Sequence, residues 1–130
     1  MAAPYKLTNL NEVEDSAAKF GFGHVGEARF ANSDLETEQT GVSVHRLKPD
    51  ARQAFGHRHE EAEEVYVVIG GSGRVKLDDE VVELRDRDAI RISAGVMRAL
   101  EAGPEGLEVL AVGPLRTDDR GEVVNDWWQG

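Results

Sequence analysis

Hydrophobic and polar positions along this chain change period once, near residue 25. Before it, Asn11 to Phe20 carries helical spacing. Asn11 stands where an N-cap is wanted, Glu14 occupies the capping-box position, and Gly21 with Gly23 supplies a stop. After the glycine-rich loop 21–26 the period falls to two. Gly41–Leu47 alternates, with Val42 and Val44 on one face and Ser43, His45 and Leu47 on the other. Further strands are predicted at Gln53–His59, Glu63–Ile69, Arg74–Leu77, Val81–Leu84, Asp88–Ile92, Met97–Glu101 and Leu107–Val112. Asp78-Asp79-Glu80, Gly70-Gly71-Ser72-Gly73 and Gly103-Pro104-Glu105-Gly106 read as the turns between them. About eight short strands with turn signals predict an antiparallel sandwich or barrel. With 130 residues, one domain with a core near 41–112 is expected, preceded by an N-terminal helix and arm over 1–40 and followed by a charged tail over 113–130. Trp127 and Trp128 in that tail are expected to pack over the barrel, to pack on a partner subunit, or to stand as an unpacked terminal pair.

Composition narrows the chemistry. There is no cysteine, which excludes disulfides, thiolate metal sites and cysteine nucleophiles. A net charge of −10 repels phosphate backbones and anionic membranes, so neither nucleic acid nor a membrane is an expected partner. Met1 to Leu10 shows no basic region followed by an apolar run, and no stretch approaches the apolar length of a membrane span. A cytoplasmic location is expected.

The chemistry-bearing stretch is His57-Arg58-His59, followed by Glu64 and Gly71. Histidines two apart on a strand share a face, so their imidazoles converge, and a carboxylate from the next strand can complete a facial set of ligands. Glu63 competes with Glu64 for that role, because a one-residue slip exchanges their faces. Tyr66 and Val68 share the face of Glu64, where they shape a cavity or simply pack in the core. His45 lines the pocket or is a satisfied histidine, and His24 in the glycine loop is expected to be exposed. The glycines of 70–73 do not make a phosphate loop, because a strand follows them and not a helix. No Ser-His-Asp spacing stands out, and nothing fixes a second carboxylate across a cleft as glycoside hydrolysis needs.

His57-x-His59, four residues, Glu64, six residues and Gly71 resembles the first motif of the cupin family, G-x5-H-x-H-x3,4-E-x6-G, with Ala51 at the opening glycine. The run His59 to Val75, HEEAEEVYVVIGGSGRV, is similar too. The family's second motif falls on Arg87, Ser93, Gly95, Arg98 and Ala102, of which Gly95 alone matches, so Arg98 stands where metal-binding cupins carry their last histidine ligand. The resemblance implies an all-β, antiparallel double-sheet jelly-roll barrel, a homodimer, and a polar pocket lined by His57, His59, Glu64 and Arg98, with Tyr66 and His45 beside them.

Two readings of Arg98 stand open. In one, His57, His59 and Glu64 hold Fe, Mn, Ni or Zn while Arg98 clamps an anionic substrate by its guanidinium fork. In the other, Arg98 replaces the metal and pairs with Glu64. A guanidinium about 5 Å from a divalent ion costs roughly 6–7 kcal/mol at an effective dielectric of about 20, which Glu64 and a bound anion offset. The expected function is binding of a small anionic molecule, with a divalent metal optional. The alternatives are a metal-dependent oxygenase or isomerase, in which the metal acts as Lewis acid or binds O₂, and a protein whose site is vestigial.

Overall fold

The computed structural model describes residues 4–116 and 118–129. Eight antiparallel strands curl into one sheet: β1 (Gly26–Phe30), β2 (Thr40–Leu47), β3 (Phe55–Arg58), β4 (Glu64–Leu77), β5 (Glu80–Leu84), β6 (Ala89–Ile92), β7 (Arg98–Pro114) and β8 (Glu122–Asn125). Strand β7 is the spine. Its second half pairs with β2, from Thr40↔Pro114 to Leu47↔Leu107, and with the first half of β4, from Val65↔Val112 to Gly71↔Leu107. Its first half pairs with the end of β4 and touches β3 at His57↔Arg98. Strands β5 and β6 flank the two halves of β4. Antiparallel partners project to the same face, so Leu47, Tyr66, Val68, Val75, Leu100, Leu107 and Val109 meet inside as one core cluster.

The two glycine clusters read as turns are not chain reversals. Both lie within continuous strands, and the pairing slips between them: Gly71 faces Leu107, whereas Gly73 faces Ala102. Residues 103–106 thus bulge against Ser72, bending β4 and β7 together. Gly71 takes φ +73, and a Cβ there would stand 2.0 Å from the Gly106 carbonyl oxygen. Glycines that predict a turn on local grounds here allow a bulge and a close backbone approach. By contrast, Asp78 and Asp79 do form a two-residue hairpin, with Leu77 paired to Glu80.

The expected helix over 11–20 is present only in pieces. A 3-10 turn at Leu10–Glu12 is capped by Asn9, not Asn11, and α1 (Ser16–Lys19) is capped by Asp15. Between them Val13 is extended and 2% exposed. The Asp15 carboxylate accepts from the amides of Ala17 and Ala28, which ties the chain to β1. Burial of Val13 and this pair of hydrogen bonds hold the backbone out of the helix that residues 11–20 would form alone. A second helical turn, α2 (Asn32–Leu35), and strands β1 and β8 were not anticipated. The strand expected over 53–59 is confined to 55–58.

Trp127 and Trp128 pack on the outside of the barrel. The Arg52 guanidinium lies 4.6 Å from the Trp128 ring and Arg74 lies 5.3 Å from it. Both arginines pair with Glu101. Trp127 covers Gly56, where a Cβ would stand 2.6 Å from the indole. Among the described residues no helix is long and apolar enough to cross a membrane.

Gly71→Ala should cost about 2 kcal/mol or more, because it adds a strained left-handed conformation to a collision with backbone. A urea midpoint equal to that of the native protein would contradict the bulge geometry.

Candidate functional site

Strand β3 alternates, sending Arg58 outward to Glu122 and His57 inward. His59 follows the strand's last residue, and its ring stands edge-on to His57 with centroids 5.3 Å apart. The chain returns at Glu64, the first residue of β4, whose Oε1 is 3.7 Å from His59 Nε2. The competing Glu63 is exposed on the other face. One ligand atom each from His57, His59 and Glu64 can be chosen so that all lie within 4.8 Å of one another.

Arg98 opens β7 directly opposite His57 and is 0% exposed. One terminal nitrogen donates to Glu64 Oε1 at 3.2 Å, the other to the Ser93 carbonyl at 3.2 Å. Its Nε is buried with no hydrogen-bond acceptor among the described residues. The ion pair of the second reading is therefore formed. It does not use up the site's donors, because the histidines are free of Arg98 and one guanidinium N–H is uncommitted.

These neighbours set the ionisation of the group. Burial, then the Arg98 charge, pushes His57 down to about 4, against the opposing pull of Glu64. Burial pushes the Glu64 carboxyl upward, but His59, His57 and Arg98 outweigh it and hold it below the usual value. The Tyr66 phenol, buried and beside the Glu64 carboxylate, is pushed far up. Tyr66 belongs to the core cluster while facing both Glu64 and Arg98, so packing and lining coincide in one side chain.

His45 is on the inner face of β2. Its Nε2 lies 3.0 Å from the Ser43 hydroxyl and its ring meets Phe30 edge-on at 5.5 Å. Burial pushes its imidazole below the usual value, against the opposing pull of the Glu64 charge. His24 is exposed, as expected. Sequence reasoning missed Ser43, the Ser93 carbonyl and Asp119, whose carboxylate accepts from the amides of Glu60, Glu61 and Ala62. No local pattern marks Asp119, since it lies 55 residues beyond Glu64 in a charged tail. Two surface clefts, of about 370 and 650 Å³, open at the N-terminal arm and beside the 103–106 bulge, and neither is lined by these residues.

The donors fit a divalent ion in their chemistry. A deprotonated imidazole and an ionised carboxylate are ligands as they stand, and borderline ions such as Fe, Mn, Ni or Zn accept such a set. Donors bound at about 2.1 Å to one ion stand no more than about 4.2 Å apart, so small side-chain adjustments bring these three together.

The Cupin domain model matches residues 43–113, more than half of the chain. The chain belongs to the cupin family. Solved structures agree on the fold. A cupin protein from Bacteroides fragilis superposes with TM-score 0.71 at 20% identity, covering 99% of both chains. A sugar phosphate isomerase of the cupin superfamily from Silicibacter pomeroyi gives TM-score 0.72 at 19% identity, over 92% of this chain and 82% of that one. Oxalate decarboxylase from Bacillus subtilis gives TM-score 0.73 at 24% identity over 98% of this chain, which spans 34% of the decarboxylase. No curated protein sequence matches. In this cupin the first-motif residues converge as a group, and Arg98 occupies the inner wall opposite them.

The depressed His57 value fixes a pH response. Between about 6.5 and about 4 the unfolded chain carries the proton and the folded one does not, so stability rises with pH across that window. In chelator-treated protein the urea midpoint should fall from pH 7 to pH 4.5, and fall less in His57→Asn. His45, lowered by burial, contributes in the same direction and leaves a residual slope. A midpoint independent of pH over this range would contradict the buried, deprotonated histidine.

Proposed function

We propose that this cupin binds a small anionic molecule inside the barrel, with Arg98 as the group that faces the anion and a divalent ion as an optional companion held by His57, His59 and Glu64. The observation that carries the reading is the fully buried Arg98, whose Nε has no acceptor among the described residues. A guanidinium buried with an unused N–H is an invitation to an acceptor, and an anion is the acceptor that gains most from it. Charge counting points the same way. Arg98 and Glu64 cancel, and His57 is deprotonated, so the metal-free pocket is close to neutral. A divalent ion leaves it at about +2, in surroundings of low dielectric where an anion is strongly drawn in. Metal and anion should therefore favour each other.

The bound ion would supply Lewis acidity and a fixed positive charge. The chain's own residues do the rest: Arg98 orients the anion, Tyr66 donates or accepts at the buried end, and the strands around them exclude water. The metal-dependent alternative, an isomerase or oxygenase, draws support from the three-donor set. Structural neighbours named for a sugar phosphate and for oxalate handle anions. The net charge of −10 and the lack of cysteine suit a cytoplasmic protein. Exposed Leu7, Phe20 and Phe30 suit a homodimer.

Thermal shift separates these roles. With a small carboxylate such as oxalate, or a sugar phosphate, at about one hundred times its Kd, the native protein should melt about 5 °C or more higher. The shift should grow when Mn(II) or Zn(II) is present. Arg98→Met should lose the anion's shift relative to its own baseline, and His57→Ala should lose the metal's. An anion shift of native size in Arg98→Met would overturn the assignment, as would the lack of any shift with anions in the native protein, with or without metal.

A further inference from the structure

The loop 60–63 has to span from His59 to Glu64, and its own sequence, Glu-Glu-Ala-Glu, offers nothing to hold it in shape. What holds it comes from the other end of the chain. Asp119 Oδ1 accepts from the Glu60 amide at 2.6 Å, and Oδ2 accepts from Glu61 and Ala62 at 3.1 and 2.8 Å. Three consecutive backbone donors are thus gathered on one carboxylate, between two candidate ligands. Arg116 adds an ion pair to Glu61.

The segment carrying Asp119 is itself anchored to the strand that carries the histidine pair. Gly121 passes so close to Arg58 that a Cβ would stand 2.2 Å from its carbonyl oxygen. Strand β8 then pairs with β3 in the register His57↔Val123, and Trp127 seats over Gly56. On the opposite side the His59 carbonyl accepts from the Gly95 amide at 2.8 Å. One C-terminal segment therefore fastens both the strand of His57 and the loop that sets the separation of His59 from Glu64.

We propose that Asp119 is a positioning residue for the His57–His59–Glu64 group, acting through the backbone of residues 60–62, so that the C-terminal segment is part of the binding site's machinery. The proposal rests on the reading of that group as a metal site. Asp119 is not one of the three donors: it acts on them through the 60–62 backbone, with a Coulombic interaction with His59 besides. It fixes where Glu64 enters its strand relative to His59, and that spacing decides whether the three donors can meet on one ion.

The test uses the full chain with Co(II) as the probe, comparing native protein, Asp119→Ala and Asp119→Asn, with Glu14→Gln as a control that removes one carboxylate from an exposed pair with Lys19, outside the C-terminal segment. In Asp119→Ala the Co(II) Kd should rise about tenfold or more, and the visible absorption of the bound cobalt should change in intensity as the ligand set loosens. Asp119→Asn, which keeps one acceptor oxygen, should recover part of the affinity. Glu14→Gln should bind as the native protein does. Amide exchange in the metal-free protein supplies a second readout: the amides of Glu60, Glu61 and Ala62 should exchange about tenfold faster in Asp119→Ala. Native Kd and native cobalt spectrum in Asp119→Ala would overturn the proposal. If the native protein takes up no Co(II), the metal reading fails on its own. The positioning role is then decided by exchange and by the His59 ring resonances, and unchanged values in Asp119→Ala overturn it. Should the alanine variant fail to fold, Asp119→Asn carries the same comparisons.

Discussion

The site is organised around a guanidinium with no access to water. Arg98 is the bulkiest fully buried side chain among the described residues, and a charge in that position persists only if it is paired and hydrogen-bonded. Glu64 and the Ser93 carbonyl meet that demand from two different parts of the chain, the start of β4 and the turn before β7. Because Arg98 is also the Cα partner of His57, one interaction joins β3, β4 and β7 where the candidate ligands converge. The same pair sets the local electrostatics. The positive charge helps keep His57 deprotonated and Glu64 ionised, which is the state in which both can bind a metal. An arginine in place of a last histidine ligand therefore leaves the other donors competent. It changes the charge that must accompany the ion, and so favours an anionic companion.

The rest of the architecture delivers the side chains to that meeting point. Strands β4 and β7 are long enough to serve both ends of the barrel only because they bend together at the glycine bulge. Beyond the bulge, β7 presents Arg98, Leu100 and Ala102 to the interior, all buried. The C-terminal segment is part of the wall. Trp128 lies against Arg52 and Arg74, both tied to Glu101, and Lys76 lies over Trp127, so stacking and ion pairs hold this part of the outer face.

Much of this was readable in the residues. His57 and His59 share a face because strand side chains alternate. Glu64 rather than Glu63 turns inward because Tyr66 and Val68 continue its face into the core. The fold class followed from the spacing of short alternating runs and from the likeness of His57 to Gly71 to a family motif. What escaped the reading was decided at a distance. Gly71 and Gly106 both have positive φ, as turn residues do, and only pairing with a strand far along the chain makes them a bulge. The break at Val13 depends on β1, which supplies the amide that Asp15 needs. Strand β8, with the sequence Glu-Val-Val-Asn, is too short to announce itself and exists because β3 offers it an edge. Asp119 has no local signature at all.

The most direct measurement of the central claim is a double-mutant cycle on Arg98 and Glu64 in metal-free protein at pH 7, using Arg98→Met and Glu64→Leu with stability read from urea unfolding. If the buried pair organises the site, each single variant leaves a charge stranded in the barrel and costs about 3 kcal/mol or more. The double variant should then recover much of that loss, giving a coupling energy of about 2 kcal/mol or more. Additive single effects, with coupling below about 0.5 kcal/mol, would contradict the account.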